Sequence, residues 1–480
     1  MSRSSGASPP SGASRSSGAS RSSGASGPVR GREPASTRLV ACADVGSTFT
    51  KASLVDLGTG ALVATAEHPT TVGSDVLHGL DAAISAALAS AGVGPAAVAR
   101  TDACSSAGGG LRLAVVGYER LVTAESGQRV GLSAGARVVH VAAGPLDRAA
   151  LAALRADRPD VVLLVGGTDG GDTEVLVHNA TRLAAARLRV PVVVAGNVEA
   201  RDEVMATLAD RGVPAVATEN VLPRIGVLNP GPARAAIREV FLSHVIGGKR
   251  LSRGPRFRSL VRGPTPDIVL AAVEVLASRF GADVMVVDVG GATTDVYSVL
   301  QPDPETADEP SAEVAGTLWR GRTVEGDLGV RSGALGVVAA ARAERLLTVA
   351  EAEELAGPAR VRADEPGYLP QSDSDRAVDA RLARLAALVA VRRHARNRDM
   401  SRVRLIIGSG GVLRHAADAA SILAPVLSDT AGGWRLPERA AVVVDRRYLL
   451  APGGLLALTG EEDLAARILG DLTAGTESPM

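Results

Sequence analysis

A chain of 480 residues with 46 % apolar side chains has material for two or more globular units with substantial cores. Its 52 basic and 52 acidic residues cancel, which excludes the strong field that gathers nucleic acid or an anionic membrane surface. No apolar run reaches the roughly 18–20 residues of a transmembrane helix, nothing at the N-terminus reads as a signal peptide, and two cysteines form no disulfide framework; a cytoplasmic protein is expected.

Residues 1–37 repeat Ser-Gly-Ala-Ser with interspersed Arg and Pro, too poor in apolar side chains to offset ordering entropy, and read as a disordered low-complexity tail. From Arg38 the pattern changes. Leu39–Val45 reads as a buried strand, followed by strands at Lys51–Asp56 and Ala61–Glu67 around a Gly58-Thr59-Gly60 turn. A helix over Asp75–Ala91 and a strand over Val98–Cys104 complete a first unit, 38–110. Between 111 and 235 apolar runs at Val138–Ala142, Val161–Val165, Val192–Ala195 and Val213–Ala217 alternate with Ala/Arg-rich helices such as Leu146–Ala156. That rhythm predicts an inserted α/β domain with a parallel sheet.

The last unit, 236–465, repeats the opening. Val284–Asp288 is again a buried strand ending in an aspartate and a glycine turn, and Thr294–Val299 stands where Lys51–Val55 stood. Helices at Ala334–Ala356 and Asp375–Arg396 precede a strand at Val403–Ile407. Ala441–Asp445 and Ala451–Leu458 close the unit.

Three motifs carry chemistry. In Asp44-Val45-Gly46-Ser47-Thr48-Phe49-Thr50-Lys51, an aspartate at a strand end can reach a metal or its waters. The glycine lets backbone approach an anion, and the hydroxyls and Lys51 can meet phosphate oxygens. Lys51 stands out because it and Lys249 are the only lysines. No glycine precedes Lys51, so this is not a Walker A loop. Asp288-Val289-Gly290-Gly291-Ala292-Thr293-Thr294-Asp295 repeats the design. Either motif alone also fits an ordinary glycine turn. Together they predict two loops closing on a nucleotide's phosphates, with a divalent cation between Asp44 and Asp288. The third motif, Ile407-Gly408-Ser409-Gly410-Gly411, opens from a strand into a helix, where glycines let a flat base lie close to the backbone.

These segments resemble the phosphate-1, phosphate-2 and adenosine motifs of the actin/Hsp70/hexokinase superfamily. The resemblance implies two RNase-H-like halves with an additional inserted α/β domain, and ATP and Mg2+ as cofactors. Asp44 and Asp288 would organise the metal and, with Lys51, form the catalytic set. Gly46, Ser47, Thr48, Gly290, Gly291 and Thr293 would face phosphate, and Gly408, Ser409, Gly410 and Gly411 adenosine. Residues 39–460 further resemble the MutL/GlmL-type accessory proteins of adenosylcobalamin-dependent glutamate mutase, which are unrelated to DNA mismatch repair. Ser105–Gly117, Val165–Asp172, Val287–Asp295 and Val324–Gly329 carry that likeness together with the first motif. It implies an ATP-dependent reactivating chaperone that exchanges damaged cobalamin on a mutase, whose subunits would be its partners. A small-molecule kinase and an ATP-dependent activator of a radical dehydratase are the alternatives on the same fold.

Weaker signals remain. The glycine-rich segment Gly166–Asp172 fits a ligand or partner contact as well as a surface turn. Glu325 and Asp327 fit a water-orienting pair or a solvated acidic loop. The seven histidines show no metal-ligand spacing.

Overall fold

Among the described residues of the computed structural model, two of three sheets share one strand order. The structure describes residues 38–107, 110–119, 123–246, 251–301 and 319–474; the expected tail 1–37 and Lys249 lie outside the described residues. The first sheet runs Leu62–Pro69, Phe49–Asp56, Leu39–Val45, Val98–Ser105, Val261–Pro264. The second runs Arg320–Glu325, Thr294–Val299, Asp283–Val289, Val403–Ser409, Ala441–Val444. In each, the first three strands are antiparallel and the last two parallel, and the chain visits them in the same sequence. The duplication read from two motifs therefore extends to the topology of both halves, the architecture expected of two RNase-H-like units.

Strand parity explains how the halves meet. Side chains alternate faces along a strand. In Leu39–Val45 the even positions Val40 and Cys42 enter the same apolar cluster as Val284 and Val286 of the second half. Leu39 and Ala41 point the other way, toward Ala87 and Leu88 of the helix Val76–Ala91. That helix starts on Asp75, which accepts the Leu77 N–H, and stops at Gly92 in the left-handed region. Met285, Val287 and Val289 join the opposite core, under the helices of the second half. Each even series ends in an aspartate, Asp44 or Asp288, so period-2 geometry carries both carboxylates to the layer between the sheets.

Two helices fill that layer. Thr265–Phe280 leaves the last strand of the first sheet and contributes Ile268, Val273 and Leu276. Leu450–Leu458 crosses it so closely that a Cβ on Gly454 would lie 1.9 Å from the Ile268 carbonyl oxygen. Only glycine permits that crossing.

The third sheet is wholly parallel, in the order Ala136–Ala143, Leu111–Gly117, Val161–Leu164, Val192–Val194, Ala215–Ala217. One of its faces has its own core with flanking helices. The other is continuous with Ala43, Val45 and Ala103 of the first sheet. This α/β unit is therefore fused to the first half through shared apolar packing.

One expected element is corrected. The helix expected over Ala334–Ala356 is two, Ala334–Ala343 and Val349–Asp364. Arg345 takes a left-handed φ of 59° between them, and Thr348 begins the second with a capping box to Glu351. Reciprocal satisfaction of free N–H groups makes that restart favourable.

Candidate functional site

The two aspartate-glycine turns are built alike. Gly46 N–H donates to the Phe49 carbonyl at 3.1 Å, and Gly290 N–H to the Thr293 carbonyl at 2.9 Å. A Cβ on Gly46 would stand 2.7 Å from the Phe49 oxygen, and one on Gly290 2.9 Å from the Thr293 oxygen. Both turns therefore require glycine for the same steric reason. Ser47, Thr48 and Gly291 are exposed at the turn tips and Thr293 is half-buried. The first turn is braced by the Ser106 and Ala107 amides, which donate to Val45 O at 3.1 and 3.2 Å. The second is braced by Val330 N–H on Gly290 O and Arg331 N–H on Gly291 O, at 3.0 and 2.7 Å.

Behind the turns lies a cavity of about 70 Å³ bordered by Asp44, Lys51, Thr265, Asp288, Ser409, Gly410, Asp445 and Tyr448. Asp44 and Asp288 thus border one space between the halves. Thr265, first residue of the helix in the shared layer, donates its hydroxyl to Asp44 Oδ1 at 2.7 Å, and Cys104 Sγ lies 3.5 Å from the same oxygen. Gly410, at φ 97°, has no room for a side chain: a Cβ there would meet Val289 O at 2.2 Å and Asp288 Oδ1 at 2.9 Å. Ser409 hydrogen-bonds the Asp288 carboxylate.

Charge in the cavity is unevenly met. Burial pushes the Asp288 carboxyl up to about 6, the neighbouring Asp295 and Asp44 add to the rise, and Lys51 and Ser409 oppose it. Burial works against the charged form of Lys51, yet its ammonium is held above its ordinary value by Asp44, Tyr448 and Asp288. Asp295 is raised by burial in spite of its ion pair with Arg322 at 3.0 Å. Around Asp288 the site is short of positive charge, the deficit a divalent cation would relieve. Among the described residues no group of three or more His, Cys, Asp or Glu could hold a metal unaided. Mg2+ is commonly bound through one or two carboxylates, with water and phosphate oxygens filling its octahedron. The residues present therefore fit a hydrated Mg2+ beside a phosphate chain, with Asp44 and Asp288 as its carboxylates and Lys51 as the anion's counter-charge.

Other expected positions lie elsewhere. Gly408 is buried in the second half's core, where a Cβ would press on Leu423 Cδ1 at 2.9 Å. Gly411 is exposed with open space about it. The Gly166–Asp172 segment turns inward on its own domain: Asp169 Oδ1 accepts from Asn220 Nδ2 at 2.8 Å and from Val198 N–H at 3.2 Å. Glu325 and Asp327 are tied to Arg393, both at 2.8 Å, rather than presented to a water. Thr265, Asp445 and Tyr448 were not singled out from sequence. Only Thr265 had a usable signal there, as a hydroxyl opening an apolar helical run just after Pro264.

The family model described as MutL protein matches residues 40–472. Protein MutL of Clostridium tetanomorphum is 33 % identical over 455 residues, covering 89 % of this chain and 97 % of that one. Among solved structures, nucleotide-free acetone carboxylase superimposes with a TM-score of 0.41 at 15 % identity, covering 87 % of this chain and 70 % of that one. The (R)-2-hydroxyglutaryl-CoA dehydratase component A of Acidaminococcus fermentans gives 0.32 at 10 % identity over 89 % and 100 % of the two chains. A ROK family glucokinase from Streptomyces griseus, solved with glucose and AMPPNP, gives 0.31 at 14 % identity over 89 % and 98 %. The family match spans both turns, the inserted sheet and the helices between the halves, and on that ground the chain belongs to the MutL protein family.

Proposed function

We propose that this protein is an ATP-driven reactivating chaperone of an adenosylcobalamin-dependent mutase of the glutamate mutase type, working in the cytoplasm. The observation that carries the reading is that Asp44, Lys51 and Asp288, drawn from two duplicated halves, border one cavity. Membership of the MutL family supports the mutase as partner.

In this reading Asp44 and Asp288 hold hydrated Mg2+, and Lys51 with the exposed amides of the two turns binds the phosphates. Bound ATP supplies a phosphoanhydride whose hydrolysis changes the charge between the halves. Phosphates held on both turns would bear on both halves at once, and the helix crossing at Gly454 is the contact about which they would move. A ligand that binds one disposition of the halves more tightly shifts the balance toward it, which is how occupancy would reach a bound mutase.

The activator alternative needs cysteines at a surface to share a cluster between subunits. Both cysteines here, Cys42 at 2 % and Cys104 at 0 % exposure, are inside strands of the first sheet, which favours the chaperone.

The test is reactivation of an inactivated cobalamin mutase by this protein with and without Mg-ATP. Activity returns only with both, and Asp288→Ala abolishes the return; full rescue by that variant removes the ATPase from the mechanism. Phosphate release unchanged by a panel of sugars and acids separates this activity from a small-molecule kinase.

A further inference from the structure

Tyr448 lies in the link between the strand Ala441–Val444 and the helix Leu450–Leu458. Its backbone has a φ of 57°, a region that residues with side chains enter only at a cost. The link is held at both ends. Asp445, buried at 3 % exposure, accepts the Leu449 and Leu450 N–H groups at 2.8 and 3.0 Å. Arg446 donates to the carbonyls of Arg414 and Ala416 at 2.6 and 3.0 Å. The strained backbone is thus imposed by its surroundings, and it delivers the ring to the cavity between the halves.

There the ring engages two cations. Lys51 Nζ, from the first half, lies 4.1 Å from the ring centroid, and the Arg414 guanidinium, from the second, lies 3.5 Å from it. Ring faces attract cations through their quadrupole, most strongly where water is excluded. Lys51 is also the cation beside both carboxylates. An anion entering this space would seek the same ammonium.

We propose that Tyr448 is a latch: it occupies Lys51 and Arg414 in the closed cleft, joins the two halves through them, and is displaced when an anionic ligand takes Lys51. The proposal rests on the nucleotide reading of the cleft for the ligand's identity, not for the latch itself. Tyr448 acts through Lys51 and is a positioning residue. Its removal leaves Lys51 to Asp44 and Asp288 alone, so ligand binding no longer competes with the ring.

The sequence offers a clean test, because Lys51 and Lys249 are the only lysines. Acylation of the ligand-free full chain with acetic anhydride, read by mass spectrometry, compares the Lys51 peptide with the Lys249 peptide as internal reference. Relative labelling of Lys51 rises at least about fivefold in Tyr448→Leu and by less in Tyr448→Phe, which keeps the ring and loses only the hydroxyl's hydrogen bond to Lys51. Equal labelling in wild type and Tyr448→Leu overturns the latch. Tyr448→Gly, at home at this φ, removes the ring without the backbone cost and replaces Tyr448→Leu if that variant folds poorly. In calorimetry Mg-ATP binds about tenfold tighter to the ringless variants; unchanged or weaker binding also overturns the latch. Absence of heat with every protein overturns the nucleotide reading alone, and the labelling result then decides the latch.

Discussion

Lys51 and Asp295 occupy the same place in the two halves: each is the cross-strand neighbour of the aspartate that ends the first strand, Asp44 opposite Lys51 and Asp288 opposite Asp295. The parallel neighbours correspond as well, Cys104 beside Asp44 and Ser409 beside Asp288. Duplication therefore preserved the backbone while the charges diverged. The first half sets a cation beside its aspartate; the second sets another carboxylate, which it neutralises from behind with Arg322. The two halves thus present unlike charge to the space they share.

That asymmetry makes stability depend on Asp288. Its carboxyl rises from 3.8 to about 6, through burial first and then Asp295. A carboxyl raised on folding contributes stability that is full below its unfolded value and lost as the pH climbs through its folded one. The loss falls between pH 3.8 and about 6 and is on the order of 2–3 kcal/mol. Without metal or nucleotide, Asp288→Asn should melt above wild type near pH 8, with the gap narrowing toward pH 5 in scanning calorimetry. An equal gap at both pH values would contradict the assignment.

The glycines of one motif should behave differently. Gly410→Ala places a Cβ against Val289 O and Asp288 Oδ1 at a positive φ, at a cost of about 3 kcal/mol. Gly411→Ala meets open space and should cost under about 0.5 kcal/mol. Thermal melts of the two single variants check this.

Asp379 supports the second turn at one remove. Buried at 5 % exposure, it accepts from Arg362 and, at 2.8 Å, from Arg331, whose own amide holds Gly291 O. Asp379→Asn keeps the shape but takes the carboxylate's charge from two guanidinium groups otherwise met mainly by backbone carbonyls, so it should cost about 3 kcal/mol. It should also speed hydrogen exchange at residues 290–293, read by mass spectrometry. Normal protection of that turn would show that Arg331 holds it without help.

The cysteines should be silent. Burial pushes both thiols above their ordinary values, with Asp102 adding to the rise at Cys42 and Asp44 at Cys104. Thiolate is the reactive form. Native protein should give no rapid reaction with Ellman's reagent, and denatured protein two thiols per chain. Rapid native labelling would reopen the cluster-bridging alternative.

Local patterns were readable where the physics is local. Thr294–Val299 was expected with its observed limits, and Leu39–Val45 likewise, because apolar runs bounded by glycine turns define strands. The break after Ala343 was signalled by Thr348-Val349-Ala350-Glu351, a capping-box pattern passed over within an apolar helical run. Val261–Pro264 carried no comparable signal. It is a short edge strand whose partner, Val98–Ser105, lies far back in the chain beyond the inserted sheet. The same distance hid Thr265, 221 positions from the aspartate it touches.

The sequence by itself determined which side chains could share a layer: alternation in two duplicated strands sent Val40, Cys42 and Asp44 one way and Val284, Val286 and Asp288 to meet them. Only the tertiary structure decided what stands between those carboxylates. The angle at which two helices cross at Gly454, the reach of Thr265 and the placing of Tyr448 over Lys51 depend on packing among segments remote in the chain. Short-range periodicity carries no information about such contacts.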